Sequence, residues 1–329
     1  MGEKIERELK WAVLGTGIIA NEMAQALEKM GKKLYAVANR THSKAVEFAE
    51  KYGVQKIYDK IEDMFTDEET DIIYITTPHN THIKFMIEAL KNGKHVLCEK
   101  SITLNSEELE EAVEIAKEKN LILGEAMTIF NMPLYTELLE IVNSGKLGDV
   151  KMIQVNFGSY KEYDMSNRFF NRNLAGGALL DIGVYAISIT RLFMLSKPDN
   201  VLSQVKYAPT GVDEQVGIIM MNKEQQMSTI ALTLHSKQPK RVVIACEKAY
   251  IEITEYPRAD KAKIVYTETG EVEEITAGMT SNALQYELQN MEESVRTGIN
   301  KMKLEYTIDV MDIMTKLRKE WGMTYPEEE

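Results

Sequence analysis

Cysteine is scarce in this chain: Cys98 and Cys246 are the only two among 329 residues, too few and too far apart for a disulfide framework or a zinc knuckle. The compartment expected from that scarcity is a reducing one, the cytoplasm. A basic excess is also missing. With 39 Lys and Arg against 51 Asp and Glu the formal net charge is -12, which argues against a nucleic-acid partner or an anionic membrane surface, since both need a basic face. It leaves room for a local basic pocket that takes a phosphate. No apolar run approaches the length needed to span a bilayer. Residues 1–20 superficially resemble a secretion signal, because a charged start precedes ten mostly apolar residues. Yet Lys4, Arg7 and Lys10 are cancelled by Glu3, Glu6 and Glu8, and two glycines fall where an uninterrupted apolar segment belongs.

What is there is the composition of an ordinary globular chain, 44% apolar and 27% charged, at a length for about two domains. Its organising stretch is Trp11 to Ala20. An apolar run of strand length breaks at Gly15 and Gly17 and resumes as a helix-like pattern from Ile19 to Lys29. The spacing is G-x-G-x-x-A: two glycines for a tight turn, then Ala20, small enough for close helix–strand contact. Amide N–H groups around Thr16, Gly17, Ile18 and Ile19 would open onto the start of the helix, where the dipole favours an anion. A dinucleotide pyrophosphate is the expected guest.

The strand from Leu34 to Ala38 ends in Asn39 and Arg40, at the position that reads the adenosine ribose. A carboxylate there accepts from a ribose 2′-OH and repels a 2′-phosphate. Asn39 is neutral, and Arg40 offers a planar fork of donors matched to phosphate. The expected cofactor is therefore NADP, with NAD possible; the alternative is that Arg40 is a solvated loop charge.

Strands and helices go on alternating to Cys98, which predicts a parallel sheet with right-handed crossovers and function at the carboxyl ends of its strands. Two stretches sit there: Thr76 to His82, and Glu99-Lys100-Ser101. His79 and His82 could be mistaken for a metal pair, but no nearby carboxylate or cysteine completes a set of three ligands, so no metal is expected. Thr77 and Pro78 are read as a turn over the cofactor, with Thr81 or Asn80 capping the next helix.

Gly15-Thr16-Gly17-Ile18-Ile19-Ala20, Thr77-Pro78 followed by His82, and Glu99-Lys100, in this order and spacing, resemble the glucose-fructose oxidoreductase and inositol dehydrogenase family, Gfo/Idh/MocA. The resemblance covers essentially the whole chain. It implies that Lys100 sits beside the nicotinamide and takes part in catalysis. It also implies cofactor contacts from Gly15, Thr16, Gly17, Ile18, Ile19, Asn39, Arg40, Thr77, Pro78, His82, Glu99 and Lys100. There are two departures: Ser101 replaces the proline that usually follows the lysine, and His79 stands where asparagine is common.

After a helix from Ser106 to Lys119, capped by Asn105 or Ser106, and a strand from Leu121 to Leu123, the chain leaves the first sheet. The boundary is expected near 124, giving a dinucleotide-binding domain at 1–124 and a substrate-binding and oligomerisation domain at 125–329. From Val150 to Tyr160, and near 202–207, 214–221, 227–235, 241–246, 250–254 and 262–267, apolar and polar residues alternate. That pattern makes an open antiparallel sheet. The fold class expected is thus α/β plus α+β, and the open sheet face predicts a homodimer or higher homo-oligomer.

Within the second half lies Gly176-Gly177 followed by Asp181 and Tyr185, four apart and so on one face of a helix. An ionised Asp among apolar neighbours needs a partner. On pattern alone Asp181 is an early-turn acid and Tyr185 a core aromatic. The resemblance instead points to the branch containing dimeric dihydrodiol dehydrogenase and NADP-dependent xylose dehydrogenase, where this tyrosine is an acid/base partner of the lysine. Arg168 and Arg172 are either substrate contacts or surface charge. The function implied is hydride transfer between NADP and a sugar, polyol or related small molecule. The alternative is a sensor or assembly protein that kept the fold and lost the chemistry.

Overall fold

A computed structural model describes residues 7–329, so Glu3, Lys4 and Glu6, weighed above against a secretion signal, lie outside the described residues. The chain forms two compact units. One takes the chain up to Met127 together with Asn282–Leu304, and the other takes Thr128–Ser281 and Glu305–Glu329.

In the first unit the strands are β1 (Trp11–Leu14), β2 (Ala36–Ala38), β3 (Lys56–Ile57), β4 (Ile72–Ile75), β5 (His95–Glu99) and β6 (Leu123–Ala126). The helices between them are α1 (Ile18–Lys29), α2 (His42–Tyr52), α3 (Ile61–Thr66), α4 (His82–Lys91) and α5 (Ser106–Glu118). β1 and β4 are apolar and buried along their whole length, which suits strands covered on both faces. They lie at the centre of a six-stranded sheet of order β3-β2-β1-β4-β5-β6. Every pairing in it is parallel. The chain winds outward from β1 to β3, then restarts at β4 and winds the other way. The switch point is therefore at the carboxyl ends of β1 and β4, where Gly15 and Thr76–Thr77 sit.

β6 begins later than its apolar run predicts and passes through Gly124, where a Cβ would meet Met302 Cγ at 2.7 Å. Met302 belongs to the returning segment Asn282–Leu304, expected with the second half but placed in the first unit. The physical reason is a stripe on the helix Ala283–Thr297: Leu284, Leu288, Met291 and Val295 pack into the core beside Trp11, Met23 and Leu27. Trp11 Nε1 donates to Glu292 Oε1 at 3.0 Å, and Lys32 pairs with the same carboxylate.

The second unit opens with α6 (Thr128–Asn131) and α7 (Pro133–Asn143), then β7 (Val150–Gly158). A π-helical turn, Leu179–Gly183, leads into α8 (Val184–Phe193). Seven strands follow: β8 (Asn200–Tyr207), β9 (Asp213–Met221), β10 (Met227–Thr233), β11 (Gln238–Cys246), β12 (Ala249–Thr254), β13 (Lys261–Tyr266) and β14 (Val272–Thr276). They join β7 in an eight-stranded sheet of order β14-β13-β12-β11-β7-β10-β9-β8.

The sheet is mixed rather than wholly antiparallel, because β10 runs parallel to β7. The long connection through α8 supplies the crossover that a parallel pair needs, and the β8–β9–β10 meander then folds back beside β7. Ile153 and Val155 on β7, Ile218 and Met220 on β9, and Ile230 and Leu232 on β10 are buried on one face, with α8 against β7 and β10. Arg172–Phe193 is long and apolar enough by composition to cross a bilayer, contrary to the expectation that no run would be. Within the structure 78% of its most apolar window is buried, as in a core helix.

Candidate active site

Gly15 donates its N–H to Ala38 O at 2.8 Å, which ties the turn after β1 to the end of β2. Its φ is +109°, and a Cβ would stand 2.5 Å from Thr76 Oγ1 and 3.2 Å from Thr76 O, so both conformation and space demand glycine. Gly17 has φ −73° and nothing within 4 Å of a Cβ. A requirement for glycine there would have to come from a guest above the turn.

Gly17 is also the N-cap of α1, with no capping side chain and no acidic residue in the first turn. The first N–H groups are thus left for an outside acceptor at the positive end of the helix. Ile18 is 83% exposed, and Thr16 and Ile19 are half-buried. The turn fits a pyrophosphate on these grounds: a glycine packed from behind, a glycine open in front and a bare helix start. Sequence reasoning missed Asn21, whose Nδ2 donates to Gly17 O at 2.9 Å and whose Oδ1 accepts from the Tyr52 hydroxyl at 2.8 Å. Its only signal was a polar residue early on α1.

Asn39 and Arg40 follow Ala38 directly, so the bond between Ala38 and Gly15 keeps them at the edge of the same turn. Asn39 Nδ2 donates to Thr41 O at 3.0 Å, and Arg40 is exposed.

At the end of β4, Thr76 N–H and Oγ1 both bond Leu14 O, at 2.9 and 3.0 Å. Thr81 occupies the N-cap position of α4 without capping it through its side chain; its hydroxyl bonds Thr77 Oγ1 and Pro78 O instead. Asn105 does cap α5, accepting from Glu108 N–H at 2.9 Å. His82 is fully buried, with Nε2 2.7 Å from Thr77 O and Nδ1 3.0 Å from Ser101 O. Burial pushes its pKa down, with the Lys100 charge acting the same way and the carbonyls opposing. It stands as a strut joining the β4 end to the β5 end.

Lys100 follows β5, and the Lys100–Ser101 peptide bond is cis. Each peptide group around it has a side-chain partner. Lys100 N–H donates to Glu99 Oε2 at 3.3 Å, and His79 Nε2 lies 3.1 Å from Lys100 O. Ser101 O faces His82, and Ile102 N–H donates to Glu125 Oε1 at 3.1 Å. The Tyr74 hydroxyl donates to the other Glu99 oxygen. The loop is therefore held by polar bracing at the place where the family uses proline, and His79 has a role as a brace. Glu125, buried and unforeseen, looked like a residue beyond the strand; β6 in fact runs through it.

In the second unit, Asp181 is buried in the π turn and Tyr185 half-buried on the first turn of α8. Val184 N–H reaches back five residues to Leu179 O, so the turn joining the two is wider than the α-helix their spacing presumes. Arg168 Nη2 lies 3.8 Å from Asp181 Oδ1, and its guanidinium covers the Phe169 ring. Tyr185 packs against Phe157, ring centres 6.1 Å apart. Arg172 is committed elsewhere: it holds Thr324 O at 2.8 Å and pairs with Glu329. Among the described residues, no group of three or more His, Cys, Asp or Glu is placed to hold a metal.

Comparison with known proteins follows the same division of the chain. The profile for the Gfo/Idh/MocA oxidoreductase family with an NAD-binding Rossmann fold matches residues 9–127, and that for the GFO/IDH/MocA C-terminal domain matches residues 135–252. Trans-1,2-dihydrobenzene-1,2-diol dehydrogenase of Xenopus laevis is 30% identical over 96% of this chain and 99% of its own length. The Homo sapiens enzyme of the same name is 27% identical over 97% and 99%.

Among solved structures, a 3-ketoreductase from Actinomadura kijaniata in complex with NADP and TDP-benzene superimposes with a TM-score of 0.85 at 19% identity, covering 95% of this chain and 98% of that one. Levoglucosan dehydrogenase, in complex with NADH and levoglucosan, gives 0.83 at 16%, with the same coverage. At such identities these two likenesses establish the fold. With both family domains matched and a relative at 30% identity spanning nearly its whole length, the chain belongs to the Gfo/Idh/MocA family of oxidoreductases.

Proposed function

We propose that this protein is an NADP-preferring oxidoreductase that moves a hydride between the nicotinamide and a sugar, polyol or related small hydroxy or carbonyl compound. The observation that carries the reading is the bracing of Lys100: Glu99, His79, His82 and Glu125 fix the successive peptide groups around one half-buried lysine. A loop held so closely at the carboxyl end of a parallel strand is what a positioned acid or base needs.

The bound cofactor supplies the hydride acceptor or donor. Gly15, Thr16, Gly17, Ile18 and Ile19 would hold its pyrophosphate through main-chain N–H groups. Asn39 and Arg40 would meet the adenosine ribose and its 2′-phosphate, and Thr77, Pro78, Glu99 and Lys100 would border the nicotinamide end. Lys100 and Tyr185 are the proton-transfer pair, and Asp181 orients the substrate or the lysine.

Names of relatives that act on a diol, a keto compound or levoglucosan support a polyhydroxylated or carbonyl substrate. The cytoplasm is the compartment this reading favours, with Cys98 and Cys246 both free of disulfides and burial pushing both thiols up. The test is a panel of aldoses, ketoses and diols with NADP or NADPH, followed by nicotinamide absorbance. Tight cofactor binding without turnover of any member would instead make the chain a cofactor-binding sensor.

A further inference from the structure

The turn that launches the helix of Asp181 and Tyr185 is held from beneath by groups with no part in the chemistry described above. Gly177 has φ +127°, and a Cβ there would lie 2.1 Å from Asp213 Oδ1, so the Asp213 carboxylate is pressed against the glycine. Asp213, the first residue of β9, is fully buried; its Oδ2 accepts from Leu179 N–H at 2.6 Å. The same main-chain turn is gripped on its preceding residue. Tyr325, fully buried in the C-terminal segment, donates its hydroxyl to Gly176 O at 2.7 Å.

That segment is itself locked in place. Arg318, 2% exposed, forms a two-pronged pair with Glu328 at 2.7 Å on both arms, and its guanidinium lies 4.7 Å over the Tyr325 ring. Glu328 Oε2 also accepts from Tyr325 N–H at 2.8 Å. Burial pushes the Asp213 carboxyl up to about 7, with the Leu179 amide and the Arg318 charge pulling the other way. Burying such a group is expensive, and the adjoining turn is where its hydrogen bond is spent.

We propose that Asp213 and Tyr325 are positioning residues that clamp the Gly176–Gly177 turn and so fix the π turn carrying Asp181 and the start of the helix carrying Tyr185. The inference rests on the catalytic assignment of Asp181 and Tyr185 above. Sequence position gives no hint of it, since one clamp is a strand's first residue and the other lies four residues before the last.

The test uses Asp213→Ala, Asp213→Asn and Tyr325→Phe in the full chain, with amide hydrogen exchange and steady-state kinetics. Tyr325→Phe removes one oxygen and keeps the ring, so it remains informative if Asp213→Ala folds poorly. Exchange across residues 177–185 should quicken by about tenfold or more in Asp213→Ala and Tyr325→Phe, the factor for about 1.4 kcal/mol of local opening. Amides of β7 and β10 should stay near wild-type rates.

Turnover should fall by up to about 100-fold, the penalty for misplacing a catalytic group by about an ångström. KM for NADPH should be unchanged, and Asp213→Asn, which keeps an acceptor for Leu179 N–H, should recover most of the loss. Wild-type exchange at 177–185 in both Asp213→Ala and Tyr325→Phe overturns the proposal. So does faster exchange that is uniform over the unit, or local loosening with full turnover. A wild-type protein that turns over nothing would fail the oxidoreductase reading alone, and the exchange result would still decide whether the clamp exists.

Discussion

Gly15 and Thr76 are in contact across the first two central strands of the parallel sheet, so closely that a Cβ on the glycine would stand 2.5 Å from the threonine Oγ1. Gly17, two residues on, has nothing within 4 Å of that position. The two glycines should therefore fail in different ways when replaced. Gly15→Ala imposes a strained φ and a clash, worth about 1–3 kcal/mol in stability, and should lower the thermal midpoint with or without cofactor. Gly17→Ala should unfold within about 0.5 kcal/mol of wild type yet bind dinucleotide at least tenfold more weakly, because the methyl occupies the approach to the helix start. Normal cofactor titration of Gly17→Ala would remove the pyrophosphate from that turn.

The proposed preference for NADP rests on Arg40. It is exposed at the edge of the glycine turn, and Asn39 beside it carries no charge to repel a 2′-phosphate. Arg40→Ala should weaken NADPH binding by about 1.5–3 kcal/mol, the range for a hydrogen bond to a charged group, and leave NADH almost untouched. Calorimetric titration of both cofactors against both proteins measures this. Equal affinity of the wild type for NADH and NADPH contradicts the assignment.

How much of this was legible beforehand depended on the range of the physics involved. Local signals carried the first unit: the buried run Trp11–Leu14, the glycines after it and the alternation of strands and helices are all decided within a few residues. Alternation along β7 to β13 carried the second sheet, because a half-exposed strand has a period of two. Pairing was another matter. Nothing in the β7 or β10 residues says that they lie parallel, since that follows from where the intervening meander folds.

The stripe Leu284, Leu288, Met291 and Val295 has helical spacing, but its destination in the first unit depends on a surface made by Trp11 and α1. His82 stands out by motif, but its bonds to Thr77 O and Ser101 O depend on where two loops close in the fold. Asp213 and Tyr325 were invisible because their partners, Leu179 and Gly176, are main-chain groups far away in sequence.

The uncovered face of the second sheet carries an apolar row that crosses seven strands. Register places Met221, Met227, Met152, Ala245, Tyr250, Val265 and Val272 in successive cross-strand pairs. Met152, Met227, Tyr250 and Val272 are among the exposed large apolar residues. We expect association through this band, most simply between two copies about a two-fold axis. Light scattering should give a mass of at least two chains at micromolar concentration, and Met152→Glu with Met227→Lys should bring it to one. A strict monomer in the wild type refutes the surface.

His95 gives the first unit a specific acid sensitivity. Its Nδ1 accepts from Ile122 N–H at 2.9 Å, and burial pushes its pKa down to about 4. The folded chain then refuses a proton that the unfolded chain takes up below the ordinary histidine value of about 6.5. The associated stability is fully present above that value and is lost as pH falls from there toward 4, up to about 3 kcal/mol. Urea midpoints at pH 7.5 and 4.5 (roughly bracketing the window) should therefore fall further for wild type than for His95→Asn. The same drop in both proteins would show that another group carries the dependence.

The chemistry itself is tested at Lys100 and Tyr185. Oxidising an alcohol requires removal of the hydroxyl proton as the hydride leaves, and reducing a carbonyl requires a proton for the developing alkoxide. A phenol with a pKa near 10 is a weak base at neutral pH, and cationic neighbours favour its ionised form. A lysine ammonium can provide that charge and can also donate to the reacting oxygen. The bonds from Glu99, His79, His82 and Glu125 go to main-chain groups of the Lys100 loop, so Lys100→Met should leave them in place. Tyr185→Phe keeps the ring against Phe157. Both variants should bind NADPH nearly as wild type does while turnover falls by about 100 to 10,000-fold, the usual cost of removing a positioned acid or base. Either variant keeping its rate within a few fold, on a substrate the wild type turns over, takes that residue out of the proton path.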